Sequence, residues 1–322
     1  MRVGIIGAGM AGLSCAQVLA SRGFDIQIFD KGRGPGGRMS TRRIQTPMGE
    51  AAFDHGAQYF TARDPRFVQL VHDWQQRGLA APWLQAHPEA WVGVPAMSSL
   101  IRDMASDHRI EFGDIVKSLE HRGDGWHFRF AGGEAGPFDL AVVAVPAEQA
   151  ATLISLHDFE MAMVALRARS KPCWTGLFAF EERLATSHEI VRDKGIIAWA
   201  ARNSAKPGRE GPESWVVQAQ PSWTEANCEH DAGEIADRLL EALGKELDLT
   251  LPHPLSSTAH RWRFAMSNGT GDEALWNSET QLGVCGDWLI GPRVESAWLS
   301  GQRLGERIGC AAEAGTLSQR GE

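Results

Sequence analysis

The sequence predicts a mixed α/β protein: a parallel sheet assembled from the two ends of the chain, with an α+β insertion that carries an antiparallel sheet. Three observations predict it. The first 30 residues hold two short apolar strands around a helical stripe, the pattern of a β-α-β unit. Leu140–Val145 is apolar throughout and stopped by Pro146, as in a strand buried on both faces. From about residue 150 strand-like pieces dominate, until an α/β pattern returns at Leu282. Of the 322 residues, 43% are hydrophobic and 22% charged, which suits a core-forming chain and excludes a disordered or fibrous one.

Each element has its own signal. Arg2–Ile6 is a short buried strand. Met10–Arg22 is a helix with Leu13, Ala16 and Leu19 or Ala20 at helical spacing, ended by Gly23. Asp25–Phe29 alternates as a second strand, which implies a right-handed parallel crossover. A glycine-rich loop, Gly32–Arg38, follows, then extended pieces to Asp54 and a helix over Asp64–Gln76. Trp83–Val94 reads as irregular around its prolines, and Ser98–Ala105 as a short helix. Ile115–Glu120 and Trp126–Phe130 flank His121-Arg122-Gly123-Asp124-Gly125, a hairpin signal. In the insertion, Trp174–Phe180, Ile196–Ala200, Trp215–Gln220 and Thr258–Phe264 read as strands. Ser222-x-x-Glu225 has the capping-box pattern, and Ile235, Leu239, Leu243 and Leu247 form a helical stripe. A closing helix runs from about Val294 to Ala312.

Composition excludes several function classes. The formal charge is −8 with no Lys/Arg run, so the footprint of a nucleic-acid or anionic-membrane binder is missing. No apolar run approaches a membrane span, and Val3-Gly4-Ile5-Ile6 reads as a strand rather than a signal peptide. Five widely spaced cysteines without a C-x-x-C argue against a disulfide framework or structural zinc, and for a reducing, cytoplasmic setting. No cluster suggests a metal site.

The chemistry starts at Gly7-Ala8-Gly9-Met10-Ala11-Gly12, a G-x-G-x-x-G placed after a strand and opening a helix. The first Gly permits the turn, the second lets backbone approach a pyrophosphate, and the third lets helix pack on strand. The helix N-terminus supplies free N–H groups and the positive end of its dipole. Asp30 closes the second strand, 18 residues after Gly12, where a carboxylate accepts from a ribose. Near the other end, Val284-Cys285-Gly286-Asp287-Trp288 is a short apolar strand, Gly-Asp, then a helix start.

Together, Ile5–Gly12, Phe29-Asp30-Lys31, Gly36-Gly37-Arg38 and Gly286-Asp287 resemble the flavin amine oxidase superfamily. Gly36–Arg42, Asp54-His55-Gly56-Ala57-Gln58-Tyr59-Phe60, Leu140–Pro146, His260-Arg261-Trp262-Arg263 and Gly286-Asp287-Trp288 resemble its renalase branch, in the bacterial form. The resemblance implies a Rossmann-type FAD-binding domain over 1–74, 96–150 and 265–322. A substrate domain is then inserted over 75–95 and 151–264. It implies FAD, held non-covalently, against Gly7, Gly9, Met10, Ala11, Gly12, Asp30, Lys31, Gly37, Arg38, Met39, Gly56, Ala57, Gln58, Tyr59, Val116, Gly286, Asp287 and Val294.

The renalase branch further implies oxidation of misreduced nicotinamide dinucleotides, the 2- and 6-dihydro isomers of NAD(P). Hydride goes to flavin N5, and O2 is then reduced to hydrogen peroxide. Such a substrate donates hydride without losing a proton, so no general base is required, and no triad or paired-carboxylate motif is present. The alternative is a flavin amine oxidase acting on small amines; a non-enzymatic flavin-stabilised scaffold or sensor is a third reading. The aromatic inventory discriminates: 12 Trp but one Tyr, Tyr59, which forbids a two-tyrosine amine cage and allows an indole-lined slot for a flat ring. Pocket candidates are Tyr59, Phe60, Trp199, Asn203, His260, Trp262 and Trp288. Lys206 and Arg209 read as part of a solvated loop.

Overall fold

The computed structural model describes residues 1–315 and 317. The chain forms two compact units. One is built from Met1–Gly37, Ile101–Ser170 and Ser267–Glu322, the other from Arg38–Leu100 and Lys171–Met266.

The first unit holds a six-stranded sheet in the order Leu275–Asn277, Leu282–Val284, Leu140–Val143, Arg2–Ile6, Asp25–Asp30 and Arg109–Phe112. Every neighbouring pair is parallel except the first, which is antiparallel. Ile5 sits between Val142 and Ile28 in register, and all three are fully buried. That double burial is why these strands read as unbroken apolar runs. A small three-stranded sheet, Ser118–Arg122, Gly125–Arg129 and Glu134–Phe138, packs Trp126, Phe128 and Phe138 into the same core as Phe29. Gly4 makes room for them: a Cβ there would lie 2.6 Å from the Phe128 ring.

The helix Met10–Ser21 lies against the closing helix, Val294–Glu313. Three glycines at four-residue spacing make the seam. A Cβ on Gly301 would be 2.1 Å from the Ala11 carbonyl oxygen, and one on Gly305 would be 2.7 Å from the Val18 side chain. Gly309 meets the Arg22 side chain in the same way. Ser14 Oγ donates to the Trp298 carbonyl at 2.8 Å and fixes the register.

The second unit is organised by a five-stranded sheet in the order Ile190–Lys194, Ile197–Arg202, Glu213–Ala219, Ser170–Phe180 and Ser256–Ser267. One face packs Phe178, Trp215, Val217 and Ala259 against Ile235, Leu239, Leu243 and Leu247 of the helix Ala232–Leu247, the stripe expected from sequence. Asp231 caps that helix by accepting from Gly233 N. On the opposite face Leu177, Ala179 and Val216 meet Ala51 and Phe53 of the hairpin Thr41–Thr46/Gly49–Asp54. This apolar contact is why the second unit starts at Arg38. Residues 38–74, expected with the nucleotide domain, fall in the second unit.

Two local expectations fail. Ser222-x-x-Glu225 forms no capping box: Pro221 opens the helix Pro221–Ala226 and Gln220 sits at the cap without a side-chain bond, so Ser222 lies inside the helix. Trp83–Val94 is not irregular throughout. Ala80–Pro82 and Trp91–Gly93 pair as a two-stranded ribbon, with Trp83 and Val92 fully buried.

Candidate functional site

The first unit builds a nucleotide cradle. Gly7 has φ +110 and a Cβ there would meet the Ala144 carbonyl oxygen at 2.4 Å; one on Gly12 would meet the Gly7 carbonyl oxygen at 2.0 Å. Both glycines therefore serve the protein's own packing. Gly9 is different: a Cβ there would meet nothing within 4 Å. Gly9 caps the helix Met10–Ser21 without a side-chain bond, so the amides of its first turn, at Met10, Ala11 and Gly12, point past open space. Gly36 N donates to the Ala8 carbonyl at 3.3 Å, and Gly37 comes within 3.8 Å of Gly9 Cα, measured from its would-be Cβ. An open floor of unbonded amides at a helix N-terminus fits a dinucleotide pyrophosphate.

Asp30 does more than its sequence position suggests. Its two carboxylate oxygens accept from Ala8 N and Gly32 N, both at 2.7 Å, so it ties the two glycine loops together. Each oxygen keeps a second lone pair for a ribose hydroxyl. Lys31 is exposed. Val116 packs into the core with Phe29 and Leu119.

At the far end of the sheet, Gly286 N donates to Ser300 Oγ at 2.9 Å, and the buried Asp287 begins the short helix Asp287–Ile290. Val294 opens the closing helix and is half-buried. Trp288, expected in the pocket, is a core residue. It is 1% exposed and its indole N–H donates to the Val145 carbonyl at 3.1 Å.

In the second unit the segment Asp54–Phe60 is held from several sides. Asp54 is fully buried. Its Oδ1 accepts from Thr41 Oγ1 at 2.8 Å and Met97 N at 3.0 Å, and its Oδ2 from Lys206 Nζ at 3.3 Å and from Arg209. Burial alone would raise the Asp54 pKa, but Lys206 and Arg209 override it and hold the carboxyl well below its usual range. Burial lowers Lys206 to about 8 against the pull of Asp54. These cations are not a solvated loop: both side chains are almost wholly buried. Their partner lies some 150 residues earlier, and no local pattern reveals it.

The same bracing redefines three expected site residues. Gln58 donates to the carbonyls of Asp54 and Gly56 and accepts from Lys206, so its side chain is used within the fold. Gly56 is required by the chain itself, since a Cβ would sit 2.0 Å from the Arg38 carbonyl oxygen, to which Ala57 N donates. Asn203 is fully buried and bridges Ala52 O and Asp54 N. Phe60 also turns inward, 3% exposed and 6.0 Å from Phe67. Met39 is buried, and the Arg38 guanidinium donates to the Ala265 carbonyl at 3.2 Å.

What remains is one sheet face. Arg192, Trp199, Gln218 and Thr175 are successive cross-strand neighbours. They share the face opposite the helix Ala232–Leu247, since Ala200, Val217 and Trp174 point to that helix. His260 and Trp262 continue it, because the preceding Ala259 packs into the helix-side core and the intervening Arg261 lies over Trp174. Two aromatic clusters form here. Tyr59 lies 5.5 Å from Trp199, and the Arg192 guanidinium sits 4.7 Å above the Trp199 ring. His260 and Trp262 are 4.4 Å apart, each 4.9 Å from His55. Two bonds lay the Asp54–Phe60 segment onto the face: Trp262 Nε1 to His55 O at 2.8 Å, and Gln218 Nε2 to Gly56 O at 2.7 Å.

The charges beside this face are cationic, Arg192 at its edge and Arg42 near the two histidines. Burial, then His260 and Arg42, push His55 down to about 4; burial, then Arg42, lower His260. Both imidazoles are neutral at pH 7. His55 Nδ1 and Trp199 Nε1 are buried with no hydrogen-bond partner. Gln218 and Arg192 were not singled out from sequence. Only period-2 counting from Trp199 across paired strands places them, and pairing is not visible in one sequence. Among the described residues no group of three His, Cys, Asp or Glu could hold a metal, and no helix is long and apolar enough to cross a membrane.

Comparison with known proteins accords with this geometry. A family profile described as flavin containing amine oxidoreductase matches residues 83–308, and one described as NAD(P)-binding Rossmann-like domain matches residues 5–74. A zeta-carotene-forming phytoene desaturase of Myxococcus xanthus is 46% identical over 43 residues, 13% of this chain and 8% of that protein. A hydroxyneurosporene desaturase of Rubrivivax gelatinosus is 44% identical over 62 residues, 19% of this chain and 11% of that protein. The aligned stretch thus spans only about a tenth of these curated relatives.

Among solved structures, a putative protoporphyrinogen oxidase from Exiguobacterium sp. 255-15 superposes with a TM-score of 0.74 at 10% identity. It covers 96% of this chain and 98% of that one. Cyclohexylamine oxidase from Brevibacterium oxydans IH-35A gives 0.69 at 12% identity, covering 97% and 99%. At such identities these two show the fold alone.

Proposed function

The chain belongs to the flavin containing amine oxidoreductase family and its cofactor is FAD; within that family we propose that it is a renalase-like oxidase of 2- or 6-dihydronicotinamide dinucleotides. The observation that carries this is the aromatic sheet face of the second unit. Trp199, with Tyr59 beside it, offers a flat indole to a flat ring. Trp199 Nε1 and His55 Nδ1 are buried polar atoms of this region that the fold leaves without a partner. Arg192 provides positive charge at the edge of the same row for a phosphate.

FAD held by the Gly7–Gly12 loop and Asp30 would supply a hydride acceptor that O2 and a solvent proton regenerate, with hydrogen peroxide as the product. The protein's share is to bind and orient the donor. The substrate aromatises on losing hydride, so it sheds no proton and needs no base. The nearby groups agree. His55 and His260 are neutral, and Asp54 is consumed by Lys206 and Arg209. Among the described residues, this face offers no free carboxylate to a protonated amine.

The test is anaerobic titration of the FAD-loaded enzyme with 6-dihydroNAD. Bleaching of the flavin absorbance within seconds at substoichiometric donor is expected. Faster bleaching by small primary or secondary amines, with aldehyde release, would sink the proposal and favour the amine oxidase that the family's description suggests.

A further inference from the structure

The helix Phe159–Arg167 in the first unit buries Met161, Ala162 and Ala165 and turns its opposite face outward. On that face Phe159 is 67% exposed, Met163 39% and Leu166 57%; Leu156, just before the helix, is 93% exposed. The spacing i, i+4, i+7 puts Phe159, Met163 and Leu166 in one stripe. A contiguous apolar patch of this kind on a soluble chain marks an interaction surface.

The charges beside the stripe say what covers it. Glu160 and Arg167 are seven residues apart, so they lie on the same flank of the helix, one near each end. Both are exposed, and neither forms an ion pair among the described residues. We propose that this face is a two-fold contact between two copies of the chain, with the helices packed antiparallel.

Antiparallel packing brings like flanks together in reversed order. Glu160 of each copy then meets Arg167 of the other, and the pair forms twice. Met163, the middle residue of Phe159–Arg167, falls at the two-fold axis, with Phe159 of each copy near Leu166 of the other. The surface is self-complementary, as an isologous interface requires. The four apolar side chains offer roughly 500 Å² per copy, about 1,000 Å² in the pair, the lower edge of a specific interface. A reversible dimer is therefore expected, rather than an obligate one. A lipid surface suits the stripe less well, because Glu160 on its flank would be pressed against anionic headgroups.

Sedimentation velocity of the FAD-loaded enzyme over about 1–100 µM tests this directly, because a reversible dimer shifts with concentration. The wild type should move from monomer to dimer. Glu160→Arg and Arg167→Glu should each weaken dimerisation at least tenfold by placing like charges together. The double variant E160R/R167E restores the complementarity and should return within about threefold of wild type. Phe159→Ser should leave a monomer at all concentrations. Circular dichroism and flavin absorbance confirm that each variant is folded. A wild type that stays monomeric overturns the proposal. So does a dimer indifferent to the single substitutions, or a double variant without rescue. Cosedimentation of a monomer with phosphatidylserine vesicles, lost in Phe159→Ser, would assign the stripe to a membrane instead.

Discussion

Replacing Asp54 with Asn keeps the shape of the side chain and removes one charge from a site that holds three. In the native fold both Asp54 oxygens are saturated: Thr41 and Met97 on one, Lys206 and Arg209 on the other. All three charged side chains are nearly or wholly out of solvent. The variant leaves two buried cations without a counter-charge and turns one acceptor into a donor facing them. Breaking a buried pair from one side costs about 3–5 kcal/mol. For a unit of this size, that corresponds to a fall in Tm of about 10 °C. Lys206, already lowered to about 8, relieves part of the strain by releasing its proton, whereas Arg209 stays charged. The deficit should therefore be smaller at pH 9 than at pH 7, and Lys206→Met in the Asp54→Asn background should recover part of it. Thermal unfolding followed by circular dichroism at the two pH values reads all of this. A loss below about 1 kcal/mol, or a deficit independent of pH, would refute the view that this cluster anchors the Asp54–Phe60 segment.

Gly9→Val should weaken FAD binding at least tenfold, measured by flavin fluorescence titration, with the apoprotein Tm unchanged, because its new side chain enters open space. Gly301→Ala should destabilise by about 1–3 kcal/mol in urea unfolding, since its Cβ would overlap the Ala11 carbonyl and outweigh the better helix propensity of Ala. Trp199→Ala should lower kcat/KM for a dihydronicotinamide by about 10–100-fold in stopped-flow flavin reduction, with FAD affinity intact. His55 is held at about 4 against a usual 6.5, so between those values the unfolded chain binds a proton that the folded one lacks. Stability should be complete above pH 6.5 and fall below it, by at most about 1.4 kcal/mol per pH unit, and His55→Gln should flatten that slope in equilibrium unfolding.

The parts of the site that one sequence made legible are those whose signal is local. Gly7, Gly9, Gly12 and Asp30 fall within one β-α-β unit, where strand period, turn chemistry and helix start all agree. His260 and Trp262 were legible for the same reason, as alternate residues on one strand. The rest depends on which strands pair and which loops cross them. Phe60 and Trp288 read as aromatic neighbours of motif residues, yet each turns into a core that its local sequence does not describe. Lys206 and Arg209 read as solvated, and Asn203 as a pocket residue, until Asp54 is brought against all three. Gly56 leaves room for the backbone of Arg38, a contact that no local pattern in the sequence describes.

The glycine seam between the helices Met10–Ser21 and Val294–Glu313 also bears on the order in which the protein can be made. The sheet that begins with Arg2 is incomplete until Leu282–Val284 has been synthesised, and its first helix has no partner until Gly301, Gly305 and Gly309 emerge. The other unit is finished at Met266. On a translating ribosome the second unit can therefore close while the nucleotide-binding half still waits with an uncovered helix face, exposed to chaperones and to proteolysis.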